Sequence, residues 1–192
     1  MIIETVVTTL NEDGSVNLAP MGPVVDTDWS EFELRPFETS STLENLKRSG
    51  QGIVHITDDV ELIVRAATHQ LLELPALEAG RQVDVPAICG ACRWFEFRVE
   101  SIIELIPRVS IRCRTVYEHR NRDFIGFNRA KNAVLEAAIL ATRLDFLPLV
   151  EVVEQYRRYE TVIEKTGGDQ ERDAFELLKK LIERLQANAQ AK

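Results

Sequence analysis

RPFETSSTLENLKRSGQGIVHIT, residues 35–57, reads as the end of a strand, a short helix and a second strand. Ser40, Ser41 and Thr42 gather hydroxyls just before a helical turn carrying Leu43 and Leu46, and Ser41 or Thr42 suits an N-cap. Ser49-Gly50 is a stop signal. Residues 51–57 then resume as an apolar, β-branched strand. A helix N-terminus points unpaired N–H groups and partial positive charge outward. With three hydroxyls beside it and Arg35 upstream, this end is suited to an anion. An ordinary capped helix accounts for the same residues.

A second stretch bears on that choice. NLAPMGP, residues 17–23, follows a strand over residues 2–10 and a polar turn at 11–15. Pro20, Gly22 and Pro23 are expected to break the ladder and leave backbone groups unpaired. Such a loop can offer those groups to a flat heterocycle.

Together the two stretches resemble the FMN-binding split-barrel superfamily, the flavin reductase-like proteins. That superfamily carries an A-P loop after its second strand, then a D-T-x-x-N helix start, then a strand ending in Asn. Here the loop is Ala19-Pro20-Met21-Gly22. The helix start is Ser41-Thr42-Leu43-Glu44-Asn45, with Ser41 where the family often has Asp. The strand is Ile53-Val54-His55-Ile56, with His55 in place of Asn. Through FNRAKNAVLEAAILATRL, residues 127–144, the whole chain is similar to a DUF447-type branch of that superfamily.

The resemblance implies an α+β, mainly β, fold. Residues 1–125 would form a six-stranded split β-barrel of the FMN-binding type. Residues 126–192 would form a C-terminal helical extension packed on the barrel. It further implies a homodimer with FMN near the dimer interface. Ala19, Pro20, Met21 and Gly22 would face the isoalloxazine. Arg35, Ser40, Ser41, Thr42, Asn45 and His55 would complete the cofactor site, with Thr42, Asn45 and the neighbouring hydroxyls on phosphate or ribityl oxygens. The implied reaction is electron or hydride transfer to a small-molecule redox partner. The flavin carries that chemistry, so no protein acid or base is required and no catalytic residue is assigned. The competing class is a non-catalytic FMN-binding or assembly module whose helical hairpin binds a partner.

Composition narrows the field. The chain has 192 residues, 45% of them hydrophobic, enough for a substantial core. A net charge of −8 argues against non-specific nucleic-acid or anionic-membrane binding, because no basic surplus exists to neutralise phosphates. No apolar run approaches a membrane span, and the first residues lack a basic n-region. The expected compartment is the cytoplasm, which suits three cysteines. Cys89-Gly90-Ala91-Cys92 has C-x-x-C spacing, but no second pair exists to complete a zinc site. A thioredoxin-like centre would open a helix, whereas Cys92 opens a strand. These read as structural thiols, and no metal is expected.

The rest of the chain follows from periodicity. Short strands are expected at 24–28 and 32–34 around Trp29, a core or dimer-contact residue. Asp58 or Asp59 should cap a helix over 60–67. Residues 71–91 are irregular and should cover the barrel or its ligand. Strands at 92–105 and 110–119 should pair. Phe95, Phe97 and Val99 alternate with Glu96, Arg98 and Glu100, which predicts one buried face and one wet face. From Gly126 the period turns helical, with an apolar stripe of Phe127, Ala130, Ala133, Val134, Ala137, Ala138, Ala141 and Leu144. Residues 149–164 and a last helix from Asp169 should form a helical hairpin. Asn128 suits an N-cap, which puts Arg129 and Lys131 in a first turn where cations cost roughly 0.3–1 kcal/mol each. An anion there would reverse that cost, so Asn128, Arg129 and Lys131 are a candidate anion or substrate site. A solvated basic helix end is the alternative.

Overall fold

A computed structural model describes residues 1–105, 107–144 and 146–190. The chain divides into two compact units: Met1–Thr57 with Glu73–Phe124, and Asp58–Leu72 with Ile125–Lys192.

The first unit is a curled antiparallel sheet. Its strands are β1 (Thr5–Leu10), β2 (Val16–Met21), β3 (Val24–Val25), β4 (Glu31–Leu34), β5 (Gln51–Ile56), β8 (Arg93–Leu105) and β9 (Arg108–Arg120). A separate two-stranded ribbon joins β6 (Leu77–Glu78) to β7 (Ala87–Ile88). Helix α1 (Ser41–Ser49) connects β4 to β5. The sheet order is β2-β1-β5-β8-β9-β4-β3. Seven strands stand where six were expected, and Gly22-Pro23 explains the difference. The pairing Thr5↔Met21 continues in the same register to Ile2↔Val24, so β2 and β3 are one run interrupted at that dipeptide. Its first half pairs with β1. Its second half pairs with β4 and, through Ile3 N–H to Pro23 O at 3.3 Å, with the start of the chain. That seam curls the sheet into a split barrel.

The barrel core holds Val7, Leu34, Val54, Phe97, Ile111 and Cys113, and α1 contributes Leu43 and Leu46. Burying such leucines is worth about 1.5–3 kcal/mol each, enough to seat a helix of only nine residues. On the other face of β5 and β8, Val83, Val85 and Ala87 pack over Ile53 and Trp94. This cover corrects the expected wet face at Glu96, while Arg98 and Glu100 further along the same face are exposed. Glu96 is fully buried beneath the cover. Its carboxylate accepts the amides of Arg81, Gln82 and Val83 at 2.7, 2.6 and 3.1 Å. Alternation fixes which side chains share a face, but not what lies over that face.

The second unit is helical: α2 (Val60–Ala67), α3 (Arg129–Ala141), α4 (Leu149–Thr166) and α5 (Asp169–Gln190). Asp59 caps α2 by accepting Leu62 N–H at 2.9 Å. The stripe Ala130, Ala133, Val134, Ala137, Ala138 and Ala141 packs in one cluster with Val60 and Val64 of α2 and with Tyr156, Phe175 and Leu178. Alanines on α3 let α4 approach until Tyr156 Oη donates to Ala137 O at 2.8 Å. Phe127 lies outside the stripe and is fully exposed, because the helix starts two residues later.

Candidate cofactor site

The N-terminus of α1 is built by Ser40. Its backbone is extended, its Oγ accepts Leu43 N–H at 3.3 Å, and the same hydroxyl donates to Phe37 O at 2.8 Å. The cap thus falls one residue before the expected Ser41 or Thr42. Ser41 opens the helix and is exposed. The amides of Ser41 and Thr42 have no hydrogen-bond partner among the described residues. Gly50 ends the helix with φ +66, the left-handed conformation glycine tolerates.

Thr42 and Asn45 point inward instead. Asn17 Nδ2 donates to Thr42 Oγ1 at 3.0 Å and to Thr9 Oγ1 at 3.1 Å. Asn45 Nδ2 donates to Thr9 Oγ1 at 3.0 Å and to Asn11 Oδ1 at 2.9 Å, while Arg48 donates to Asn45 Oδ1 at 3.2 Å. This network ties α1 to the β1–β2 hairpin and brings residues 40–45 beside β2. Asn45 is engaged on both ends of its amide by groups of this chain, and those bonds seat α1 on the hairpin. Thr9, Asn11, Asn17 and Arg48 were missed as supports. The tight turn at 11–15 fixes the register that sets Thr9 opposite Asn17, and that was the signal available.

Ala19, Pro20 and Met21 do not form a loop. β2 runs through Pro20 to Met21, with Pro20 opposite Val6. Proline is tolerated there because β2 is an edge strand and needs no N–H on its open side. That edge leaves backbone groups facing outward along the stretch where the loop was expected. Gly22 sits where an added Cβ would lie 2.8 Å from Ile2 Cγ2.

Arg35 is exposed and pairs with Glu33 at 2.7 Å. The hydrogen bond from Arg35 holds the Glu33 carboxyl below its usual range. Arg108 donates to Arg35 O at 2.8 Å and lies 3.7 Å over the Phe37 ring. Two guanidinium groups therefore flank the segment that leads into α1.

His55 is a correction. It is fully buried, with Nδ1 3.0 Å from Val6 O and Nε2 accepting Ile88 N–H at 3.0 Å. An accepting Nε2 puts the ring proton on Nδ1, which donates to Val6 O. Burial lowers its pKa to about 4, so the ring is neutral at pH 7. Neither nitrogen is left for a ligand, and His55 holds β7 to β5.

The second candidate group lies in the helical unit. Asn128 is the N-cap, accepting the amides of Ala130 and Lys131 at 2.8 and 3.1 Å. Lys131 Nζ meets Glu171 Oε1 at 2.7 Å, Asp58 O at 2.7 Å and Gln170 Oε1 at 3.1 Å. Burial works to raise the Glu171 pKa, but Lys131 and the Gly168 N–H outweigh it and hold the carboxyl low. The anion that offsets Lys131 is thus the chain's own carboxylate, 40 positions away, and the motive for an external one at this residue falls away. Arg129 is exposed, with no ion pair among the described residues. No cluster of metal-ligating side chains occurs among the described residues.

The fold is that of the split-barrel flavoproteins. A styrene monooxygenase flavin reductase from Pseudomonas putida S12 matches 62% of this chain and 81% of its own, with 19% identity and TM-score 0.50. An FMN-binding protein from Thermus thermophilus, with bound 1-cyclohex-2-enone, matches 62% and 70%, with 16% identity and TM-score 0.54. At such identities these likenesses concern the fold alone. An FMN-bound protein from Methanosarcina mazei, itself matched to DUF447, covers 94% of both chains at 26% identity and TM-score 0.78. The family described as "Protein of unknown function (DUF447)" matches in two parts, its N-terminal domain over residues 3–122 and a second part over residues 128–180. The chain belongs to the DUF447 family.

Proposed function

We propose that this chain is an FMN-binding flavoprotein, a cytoplasmic homodimer that passes electrons or hydride between the flavin and a small-molecule partner. The observation that carries this reading is the bound FMN of the M. mazei relative, which matches this chain over nearly its whole length. The residues present fit the group. Ser40, Ser41 and the open amides of Ser41 and Thr42 suit a phosphate at the positive end of α1. Arg35 and Arg108 add cationic charge nearby. The open edge of β2 at Ala19, Pro20 and Met21, followed by Gly22, suits a flat ring. Thr42 and Asn45 hold α1 in place from within. When bound, FMN supplies the redox chemistry, and the protein supplies position and charge. Exposed Ile103 and Val116 on the long β8–β9 pair favour contact between copies.

Visible flavin absorbance of the purified protein, followed by titration of apoprotein with FMN, tests the binding. Ser40→Asp is the decisive variant. Aspartate keeps the cap to Leu43 N–H but not the bond donated to Phe37 O, so a stability loss of about 0.5–1.5 kcal/mol is expected with the fold intact. The new charge would face the phosphate, and FMN affinity should fall tenfold or more, about 1.4 kcal/mol. Unchanged affinity would place the phosphate elsewhere. Oxidation of a reduced nicotinamide by the holoprotein would separate an enzyme from a carrier, and sedimentation as a stable monomer would remove the homodimer.

A further inference from the structure

The C-x-x-C turn has a position in the fold that its sequence does not reveal. Cys89 and Gly90 occupy the middle of a turn closed by Ala91 N–H to Ile88 O at 3.1 Å. Asn121 Nδ2 holds Cys89 O at 2.7 Å and Ala91 O at 3.1 Å together, so the chain between them is curled back on itself. Arg122 Nε donates to Gly90 O at 3.2 Å, and the backbone amides of Asn121 and Arg122 both reach Cys92 O at 3.0 Å. Two further bonds leave the turn: Cys92 N–H to Ile56 O and Cys89 N–H to Ala76 O, each 2.9 Å.

These partners share a property. The chain passes between its two units three times, after Thr57, before Glu73 and after Phe124. Ile56, Ala76 and Asn121-Arg122 stand within a few residues of those three passages. One four-residue turn thus anchors the barrel end of every connection. Cys89 is half-buried and reachable, whereas Cys92 is buried.

We propose that Cys89 and Cys92 are a reversible dithiol–disulfide couple seated at this anchor. The oxidant class is a small disulfide such as oxidised glutathione. The Cys89 thiolate attacks one sulfur, forming a mixed disulfide and releasing one glutathione thiolate. The Cys92 sulfur then attacks Cys89 Sγ and displaces the second. Two protein thiols lose two electrons and two protons, and one oxidised glutathione becomes two reduced ones. Only two residues lie between the cysteines, and the stabilisation from closing a loop grows with its length. Closing so short a ring gains little from the unfolded chain, and excess thiol reductant reverses the exchange by the same two steps. Cys113 is no rival: it is fully buried in the barrel core, and burial pushes its thiol far above the usual range.

The test is to incubate the native protein with oxidised glutathione, block remaining thiols, digest with trypsin and weigh the fragments. Both cysteines fall in one peptide, QVDVPAICGACR, residues 82–93. The expected product is that peptide lighter by two hydrogens and unblocked, with Cys113 alkylated. Hydrogen exchange at the amides of Cys89, Cys92, Asn121 and Arg122 should change on oxidation and return with reductant. Cys89→Ser should abolish the mass change, and Cys113→Ser should leave it intact. A lasting glutathione adduct on Cys89, a pair formed only in denaturant, a bond involving Cys113, or two thiols that stay fully alkylated would each overturn the proposal.

Discussion

Each unit buries a glutamate, and the two units neutralise it by different means. In the barrel, Glu96 meets three consecutive backbone amides. In the helical unit, Glu171 meets the Lys131 ammonium and one amide, that of Gly168. A sheet face covered by an irregular segment has unpaired amides to dispose of, and one carboxylate gathers them. Helices satisfy their own amides except in the first turn, so a side-chain cation takes the larger share there. The lesson is that a buried charge takes its partner from whatever the local backbone leaves over.

The largest expected effect follows from removing the barrel's carboxylate. Glu96→Ala strands the buried Val83 donor and the part-buried donors of Arg81 and Gln82, and should cost about 4 kcal/mol. Glu96→Gln keeps an acceptor and should cost clearly less. Urea unfolding of both variants measures this, and equal losses would mean that volume, not the amide clamp, is what matters.

Next is the barrel's buried imidazole. The folded pKa of His55, about 4, lies below the ordinary 6.5, so the unfolded chain binds the extra proton across that window. Stability is therefore full above pH 6.5 and declines as pH falls toward 4, by about 3 kcal/mol. His55→Asn should flatten that slope. A wild-type profile that is level between pH 7 and 4 would contradict the buried, neutral ring.

The helical pair should give the smallest change. Lys131→Met leaves Glu171 unpaired and should cost about 2–3 kcal/mol, below the range for fully enclosed pairs because both partners keep some solvent contact. Because the folded Glu171 pKa is depressed, the pair's contribution is present above the ordinary glutamate range and is lost as pH falls through the folded value. Salt should weaken this pair and spare the Glu96 clamp. Equal salt sensitivity of Glu96→Ala and Lys131→Met relative to wild type would dissolve the contrast.

What could be read from the sequence was what is decided within a few residues. Asp59 and Asn128 announce their helices by capping, Gly50 announces a stop, and the stretch at residues 35–57 gives strand, helix and strand in order. What could not be read was decided by remote neighbours. Pro20 looks like a ladder breaker until β2 proves to be an edge. Glu96 looks wet until residues 81–88 cover it. Lys131 looks costly until Glu171, a turn and a helix later, arrives to meet it. Asn45 matched a ligand motif, and its amide is taken up by Thr9, Asn11 and Arg48.

The helix at Val60–Ala67 belongs, by packing, with helices that begin at Arg129. During synthesis its apolar face, with Val60 and Val64, emerges roughly 60 residues before its partners. At 5–20 residues per second the ribosome needs about 3–12 s to supply them. For that interval the nascent chain carries an uncovered greasy helix spliced into a barrel that is itself incomplete until β9 appears. A gene cut after residue 125 would make the interval permanent. Such a fragment should lean on chaperones or precipitate, although every strand of its sheet is present.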